Sequence, residues 1–485
     1  MTLPDPTGLV RADAAIPGGL VAGLRASGYG PDSLDAVERC VPTVLGAGRL
    51  PLIESVLAEG VPGAAAAALF CYGLELSLSA AERGLGAATV AACRTHGVLL
   101  DGPQGLRSPW RLIPFLGVLV ASDRPDAGAE AVMGPGPTTM HLAEAALPAP
   151  GARVLDLGCG AGSLALVAKQ GGAGAVIAVD LNLRAVEVAR ANAALNRLAI
   201  DCRAGDLLAP VGGETFDLII SQPPYVVLPP GQHAVTYLHG GPRGDELARR
   251  VLAEVPAALL PGGLALVHFD GPADRESELV GEVARSANAP VDIAVLAQPG
   301  LPPMVQAMSY ATLLHGGFGA GYAEAVRGYL AHCRAAGLTS FGRYLVALRR
   351  SARGWGVRLR VANGRGPDRA AIDALIAGLD LADAGEAELL RCRIRPPACA
   401  ELTLHRPFGS PEVQRIAAGY RSGFWPGHDI DEQTGALCDL LAGSDSVAAA
   451  VAVYAQDCAE PPAEAQRLLL AFVRDGLRRG MLVVV

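Results

Sequence analysis

Two short stretches combine residue types that could do chemistry at a shared site. In the first, the apolar run Val154-Leu155-Asp156-Leu157 enters a turn, Gly158-Cys159-Gly160-Ala161-Gly162, and a helical stretch from Ser163 to Gln170 follows. Glycines at alternate positions let backbone approach a ligand at the carboxyl end of a strand, the opening of a doubly wound α/β sheet. A second apolar run, Ala175 to Val179, ends in Asp180, whose carboxylate can accept hydrogen bonds from a ribose diol. In the second stretch, Phe216 to Ser221 reads as a strand with Gln222-Pro223-Pro224-Tyr225 at its carboxyl end. There the side-chain oxygen of Gln222 and the carbonyl of Pro223 offer two hydrogen-bond acceptors side by side. The prolines stiffen the loop, and Tyr225 can stack on a planar acceptor.

The glycine turn departs from a dinucleotide fingerprint. G-x-G-x-x-G requires a sixth-position glycine, and that position is Ser163. Asp156, just before the turn, would repel a pyrophosphate. A cationic, phosphate-free nucleoside such as S-adenosylmethionine (SAM) suits the turn better. With Asp180 and Asp206 added, the run resembles the class I SAM-dependent methyltransferases. The resemblance implies SAM as cofactor, with Asp156, Gly158 and Gly160 seating its methionine moiety, Asp180 its ribose and Asp206 its adenine. Leu181 and Leu207, which follow the two acids, join the cofactor set. A turn or N-cap role is the plain alternative for Asp206.

The QPPY stretch resembles the [N/D/S]-P-P-[Y/F] motif of methyltransferases that act on glutamine amides and on the exocyclic amines of adenine and cytosine. The HemK/PrmC-like group is the nearest. This likeness implies that Gln222, Pro223 and Tyr225 hold the acceptor, with Gln222 also touching the cofactor. Glutamine in place of asparagine keeps the oxygen but moves it one methylene out, which suggests a differently shaped acceptor. Residues 131–144 resemble that group's loop over the cofactor, and this puts Thr138 in the cofactor set. Gly136, Thr138 and Met140 stand where the group has an Arg and two Glu. Gly134-Pro135-Gly136-Pro137 reads as non-helical, with Thr138 and Thr139 capping the next helix. His233, Tyr237 and His239 follow the motif and are candidate acceptor-binding residues. One of the histidines could take the released proton, although solvated loop histidines are the default.

Composition narrows the class of function. The net charge is −8 and no Lys/Arg run occurs, so a nucleic-acid substrate is disfavoured. Ten scattered cysteines form no C-x-x-C or Cys/His cluster, so no metal site is expected, and reduced cytoplasmic thiols fit best. The start of the chain does not read as a signal peptide, and Val61 to Ala81 reads as buried helix rather than membrane span. Abundant glycine and alanine point to the high-GC coding bias of a bacterium.

At 485 residues the chain should hold two or three domains. Residues 1–130 read as a helical, winged-helix-like domain in which Ser33 caps a helix and residues 107–123 form a hairpin. Residues 131–351 read as the SAM-binding domain, a Rossmann-like seven-stranded α/β sheet with a helical insertion at 299–340. Its strands include Ile200 to Arg203, Val291 to Ala297 and Tyr344 to Arg349. The insertion would roof the site or pair with a second subunit, so a homodimer is in view. Residues 352–485 read as an α/β and winged-helix-like region, opening with a strand in WGVRLRVANG. Its last sixty residues weakly resemble PqqD-like peptide-recognition modules, which capture a peptide as an added strand.

The reading these features favour is SAM-dependent methylation of a peptide or small molecule, at nitrogen by preference, in natural-product tailoring. Two other enzymes compete with it: a release-factor-type glutamine N5-methyltransferase and an rRNA or DNA amino-methyltransferase. A reading of another class is a binding protein that keeps the fold as a SAM sensor.

Overall fold

The computed structural model describes residues 3–41, 50–124, 127–231, 235–315, 320–361, 366–405, 415–420 and 428–485. Its centre is an eight-stranded sheet made of β1 (Arg153–Leu157), β2 (Ala175–Asp180), β3 (Asp201–Ala204), β4 (Phe216–Ser221), β5 (Leu259–Pro272), β6 (Val291–Leu301), β7 (Phe341–Arg350) and β8 (Gly356–Arg360). The spatial order is β8-β6-β7-β5-β4-β1-β2-β3. Strand β7 runs antiparallel to both β5 and β6, and the other pairs are parallel. The sequence expectation of seven strands is one short. Gly356–Arg360 pairs with β6 and extends the sheet beyond residue 351.

The inner strands read as unbroken apolar runs because both faces are covered. One face sends Val154, Leu218, Ile220, Leu264, Leu266 and Leu345 into a core shared with the N-terminal helices. Helices α1 (Pro137–Ala145), α2 (Ser163–Gln170) and α3 (Leu183–Leu195) belong to that layer. The alternate residues Leu155, Ile219, Ala265, Val267, Val295 and Val346 face α4 (Glu246–Glu254) and α5 (Leu279–Ser286). Between β6 and β7 the inserted hairpin is α6 (Pro303–His315) and α7 (Ala320–Ala335). Helix α8 (Arg369–Ala382) returns to the first face through Ile372, Leu375 and Leu379. An ionic knot fixes it there: Arg349 of β7 binds both Asp292 of β6 and Asp380 of α8, and stacks 5.4 Å from the Trp355 ring. The Trp355 indole N–H donates to Asp380 at 3.0 Å.

In the N-terminal part the helix expected after Ser33 starts earlier, at Pro31. Proline suits the first helical turn because its missing N–H would have no partner there. Ser33 sits inside the helix, and its Oγ accepts from the Gly30 N–H at 3.1 Å. The hairpin is present as Trp110–Phe115 and Val118–Asp123, paired antiparallel. The Val61 to Ala81 region is a short α-turn, Ala64–Ala66, followed by a π-helical turn, Ala67–Tyr72. Among the described residues no helix is long and apolar enough to cross a membrane.

At the C-terminal end, Ala400–His405, Arg415–Tyr420 and His428–Ile430 form a three-stranded antiparallel sheet. Helices Glu432–Gly443, Val447–Asp457 and Pro462–Arg478 follow. The closing strand, Val483–Val484, pairs antiparallel with Ile394–Arg395. Asp431 and Ser446 cap the first two helices, accepting backbone N–H bonds at 2.7 and 3.1 Å.

Candidate active site

Strand order reverses between β1 and β4, so their carboxyl ends open a crevice of the kind where doubly wound sheets bind ligands. The Ser221 hydroxyl donates to the Leu157 carbonyl at 2.8 Å and fastens the two ends together. The glycine turn lies at this point, with φ of 75° at Gly158, 52° at Gly160 and 77° at Gly162. Side chains with a Cβ seldom adopt these values, and an unclad turn leaves backbone open to a ligand.

Two carboxylates frame the turn. Asp180 accepts the Gly160 N–H at 2.8 Å with one oxygen and the Asn182 N–H at 2.9 Å with the other. Asp156 is 1% exposed and accepts the Ala165 N–H at 2.9 Å. Burial raises both carboxyls, Asp156 to about 7. Among the described residues neither carboxylate forms an ion pair. Two desolvated acids without a cation fit a cationic ligand and disfavour a phosphate, so the residues present suit SAM. Leu181 is 65% exposed, an open apolar surface beside Asp180. Leu207 has φ 44°, a left-handed conformation that costs a branched residue energy and marks a shaped loop. The Asp206 carboxylate is shared with a cation: Arg250 of α4 grips it at 3.0 and 2.8 Å.

Across the crevice from the glycine turn, Gln222 follows β4 directly, and its Nε2 donates to the Thr138 hydroxyl at 2.7 Å. Thr138 is the second residue of α1, so it does not cap that helix as expected. The cap position is Gly136, Pro137 opens the helix, and the Thr139 hydroxyl accepts the Gly136 N–H at 3.3 Å. Proline at the first helical position is what the sequence reading overlooked.

Burial pushes the Tyr225 hydroxyl up to about 12 and the Asp270 charge adds to this, while the Arg343 charge acts against it. Gly240 and Gly244 press on this loop. A Cβ at Gly240 would come within 2.3 Å of the Pro224 carbonyl oxygen, and one at Gly244 within 2.5 Å of that of Tyr225.

The residues after the motif divide. His239 uses its Nδ1 to accept the Val235 N–H at 2.9 Å, so that nitrogen shapes the loop. Tyr237 is half-buried against a small cluster that includes Val226, Leu238 and Phe341. His233 lies outside the described residues.

Residues 127–237 match the sequence model of the methyltransferase small domain. A release factor glutamine methyltransferase of Deinococcus radiodurans is 42% identical over 129 residues, covering 24% of this chain and 45% of that protein. A second one, from Koribacter versatilis, is 37% identical over 156 residues, covering 29% and 55%. A ribosomal protein uL3 glutamine methyltransferase of Bradyrhizobium diazoefficiens is 40% identical over 122 residues, covering 23% and 38%.

The core is a class I SAM-dependent methyltransferase fold, similar in sequence to the HemK/PrmC-like group. The chain spans about half the length of the curated relatives it matches.

The methyltransferase core also draws on residues that sequence reasoning missed. Asp270, at the end of β5, is 5% exposed and accepts from Arg343 Nε at 3.0 Å and from Gln306 Nε2 at 3.3 Å. Burial raises its carboxyl, while the Arg343 charge opposes the rise. The Tyr329 hydroxyl donates in turn to Gln306 Oε1 at 3.0 Å. The inserted hairpin is thus wired to the sheet behind Tyr225. Asp270 closes the apolar run Gly263 to Phe269, and an acid at the end of a strand was the available signal. Gln306, Tyr310 and Tyr329 occupy ordinary helical positions that give none.

Proposed function

We propose that this protein is a SAM-dependent methyltransferase that methylates the side-chain amide of glutamine in a protein or peptide. The observation that carries the reading is the Gln222-Pro223-Pro224-Tyr225 loop, held at the carboxyl end of β4 beside a glycine turn framed by two uncompensated acids. The related proteins bear the names of glutamine methyltransferases, which favours this reading over natural-product tailoring.

Bound SAM supplies an electrophilic methyl group on its sulfonium. The chain's own residues prepare the other partner. Gln222 Oε1 and the Pro223 carbonyl accept the two N–H bonds of the amide and orient its lone pair, and Tyr225 flanks its plane. Asp156 and the glycine turn take the methionine moiety, Asp180 takes the ribose, and Leu181, Asp206 and Leu207 border the adenine. Transfer leaves a proton on nitrogen, which passes to water, and no strong base is required once the nucleophile is aligned. A cytoplasmic setting agrees with protein substrates of this kind.

The test is Gln222→Ala. Turnover with methyl-labelled SAM should fall by about two orders of magnitude or more, as when a positioned hydrogen-bonding group is removed. S-adenosylhomocysteine should bind the variant as it binds the parent. Undiminished turnover would sink the acceptor role.

A further inference from the structure

Glutamine at position 222 carries its amide oxygen one methylene further from the backbone than asparagine would. Left to itself, that oxygen would overshoot an acceptor placed for the shorter side chain. Thr138 alters the geometry, because its hydroxyl oxygen takes a hydrogen bond from Gln222 Nε2 at 2.7 Å. A carboxamide whose nitrogen is engaged on one side presents its oxygen on the other. Thr138 is itself oriented. It stands in the first turn of α1, which fixes the position of its backbone beside the loop. Tyr225 of the same loop packs with Tyr310 on a cluster that contains Ala307 and Tyr329 of the inserted hairpin.

The direction of that amide decides which substrates fit. With Nε2 on Thr138, Oε1 faces the acceptor and welcomes an N–H donor. With the amide turned over, an NH2 group would face the acceptor and reject one.

We infer that Thr138 is a positioning residue: it turns Gln222 so that Oε1, with the Pro223 carbonyl, forms a two-acceptor cradle selective for a primary amide. This inference rests on the SAM-dependent reading given above. Thr138 and Gln222 then form a matched pair that does the work of a lone asparagine, and neither can change independently.

The cradle can be read without knowing the acceptor. Sinefungin is a SAM analogue with an amine where the sulfonium methyl would be, so its N–H groups enter the cradle. S-adenosylhomocysteine leaves the cradle empty. Calorimetric titration of the full chain should show sinefungin bound about tenfold more tightly, the order expected for charge-assisted hydrogen bonds. Thr138→Val should reduce that preference, read as the ratio of the two affinities, to about twofold or less, and Thr138→Ser, which restores the hydroxyl, should recover it. Thr138→Ala serves the same test should valine disturb the helix. In a Gln222→Leu background, Thr138→Val should add nothing to the loss. A preference that survives both Thr138→Val and Thr138→Ala would overturn the positioning role. If neither ligand binds the parent chain, the SAM-dependent reading itself fails, a result distinct from the first.

Discussion

The Asp180 carboxylate accepts the backbone N–H of Gly160 at 2.8 Å, which ties the end of β2 to the glycine turn that leaves β1. One side chain therefore shapes the turn and, on the proposed reading, also takes the ribose. Asp180→Ala should weaken S-adenosylhomocysteine by about 1–3 kcal/mol, the cost of leaving buried hydroxyls without a partner. Asp180→Asn can keep one acceptor oxygen and should lose less. Calorimetric titration of the two variants checks this, and parental affinity in the alanine variant would refute the ribose assignment.

Asn192 joins three parts of the molecule from the middle of α3. Its amide receives the Ala121 N–H and donates to the Ala121 carbonyl, both at 2.8 Å, and donates at 2.8 Å to the carbonyl of Ala161 in the glycine turn. Asn196, one turn on, repeats the pattern on Leu119. Together they pair an edge strand through side chains. Replacing Asn192 by Leu strands these buried backbone groups and should cost about 3 kcal/mol or more in urea unfolding. Because Ala161 belongs to the turn, ligand affinity should fall too. A variant as stable as the parent would mean that the hairpin is held by other contacts.

The central sheet was legible because buried parallel strands are near-continuous apolar runs, and the glycine turn and the Pro-Pro loop announce their conformations through residues with few alternatives. Edge strand β8 was legible as a strand in WGVRLRVANG, but its place in this sheet was not. Gly356–Arg360 alternates arginine with apolar residues, and nothing local says which sheet such a strand will join. The site divided along the same line. Asp156, Asp180 and Gln222 lie at strand ends, where sequence spacing locates them. Thr138 was read as a cap, since in sequence a threonine after proline looks the same whether its hydroxyl turns to backbone or to Gln222. Arg250 and Asp206 stand 44 positions apart in the chain, a pairing no local pattern encodes.

Acid sensitivity should come in part from His268. Burial, with the Arg343 charge and then His141 adding to it, pulls this histidine down to about 3. The unfolded chain takes up its proton near pH 6.5, but the folded chain does not until the pH is far lower. Its contribution is complete above about pH 6.5 and is lost on acidification at about 1.4 kcal/mol per pH unit. His268→Leu should therefore flatten the fall in stability between about pH 6 and pH 4 by one proton's worth. Denaturant unfolding across that range measures it, and parallel profiles for variant and parent would contradict the assignment.

The most direct test of the central claim is to find where the methyl group goes. Purified protein would be incubated with methyl-labelled SAM and the proteins and peptides of a bacterial extract, followed by digestion and mass spectrometry of every labelled species. The account predicts label on a glutamine side-chain nitrogen, and its absence from the same reaction run with Gln222→Ala. Label carried instead by RNA, DNA or a small metabolite would contradict it.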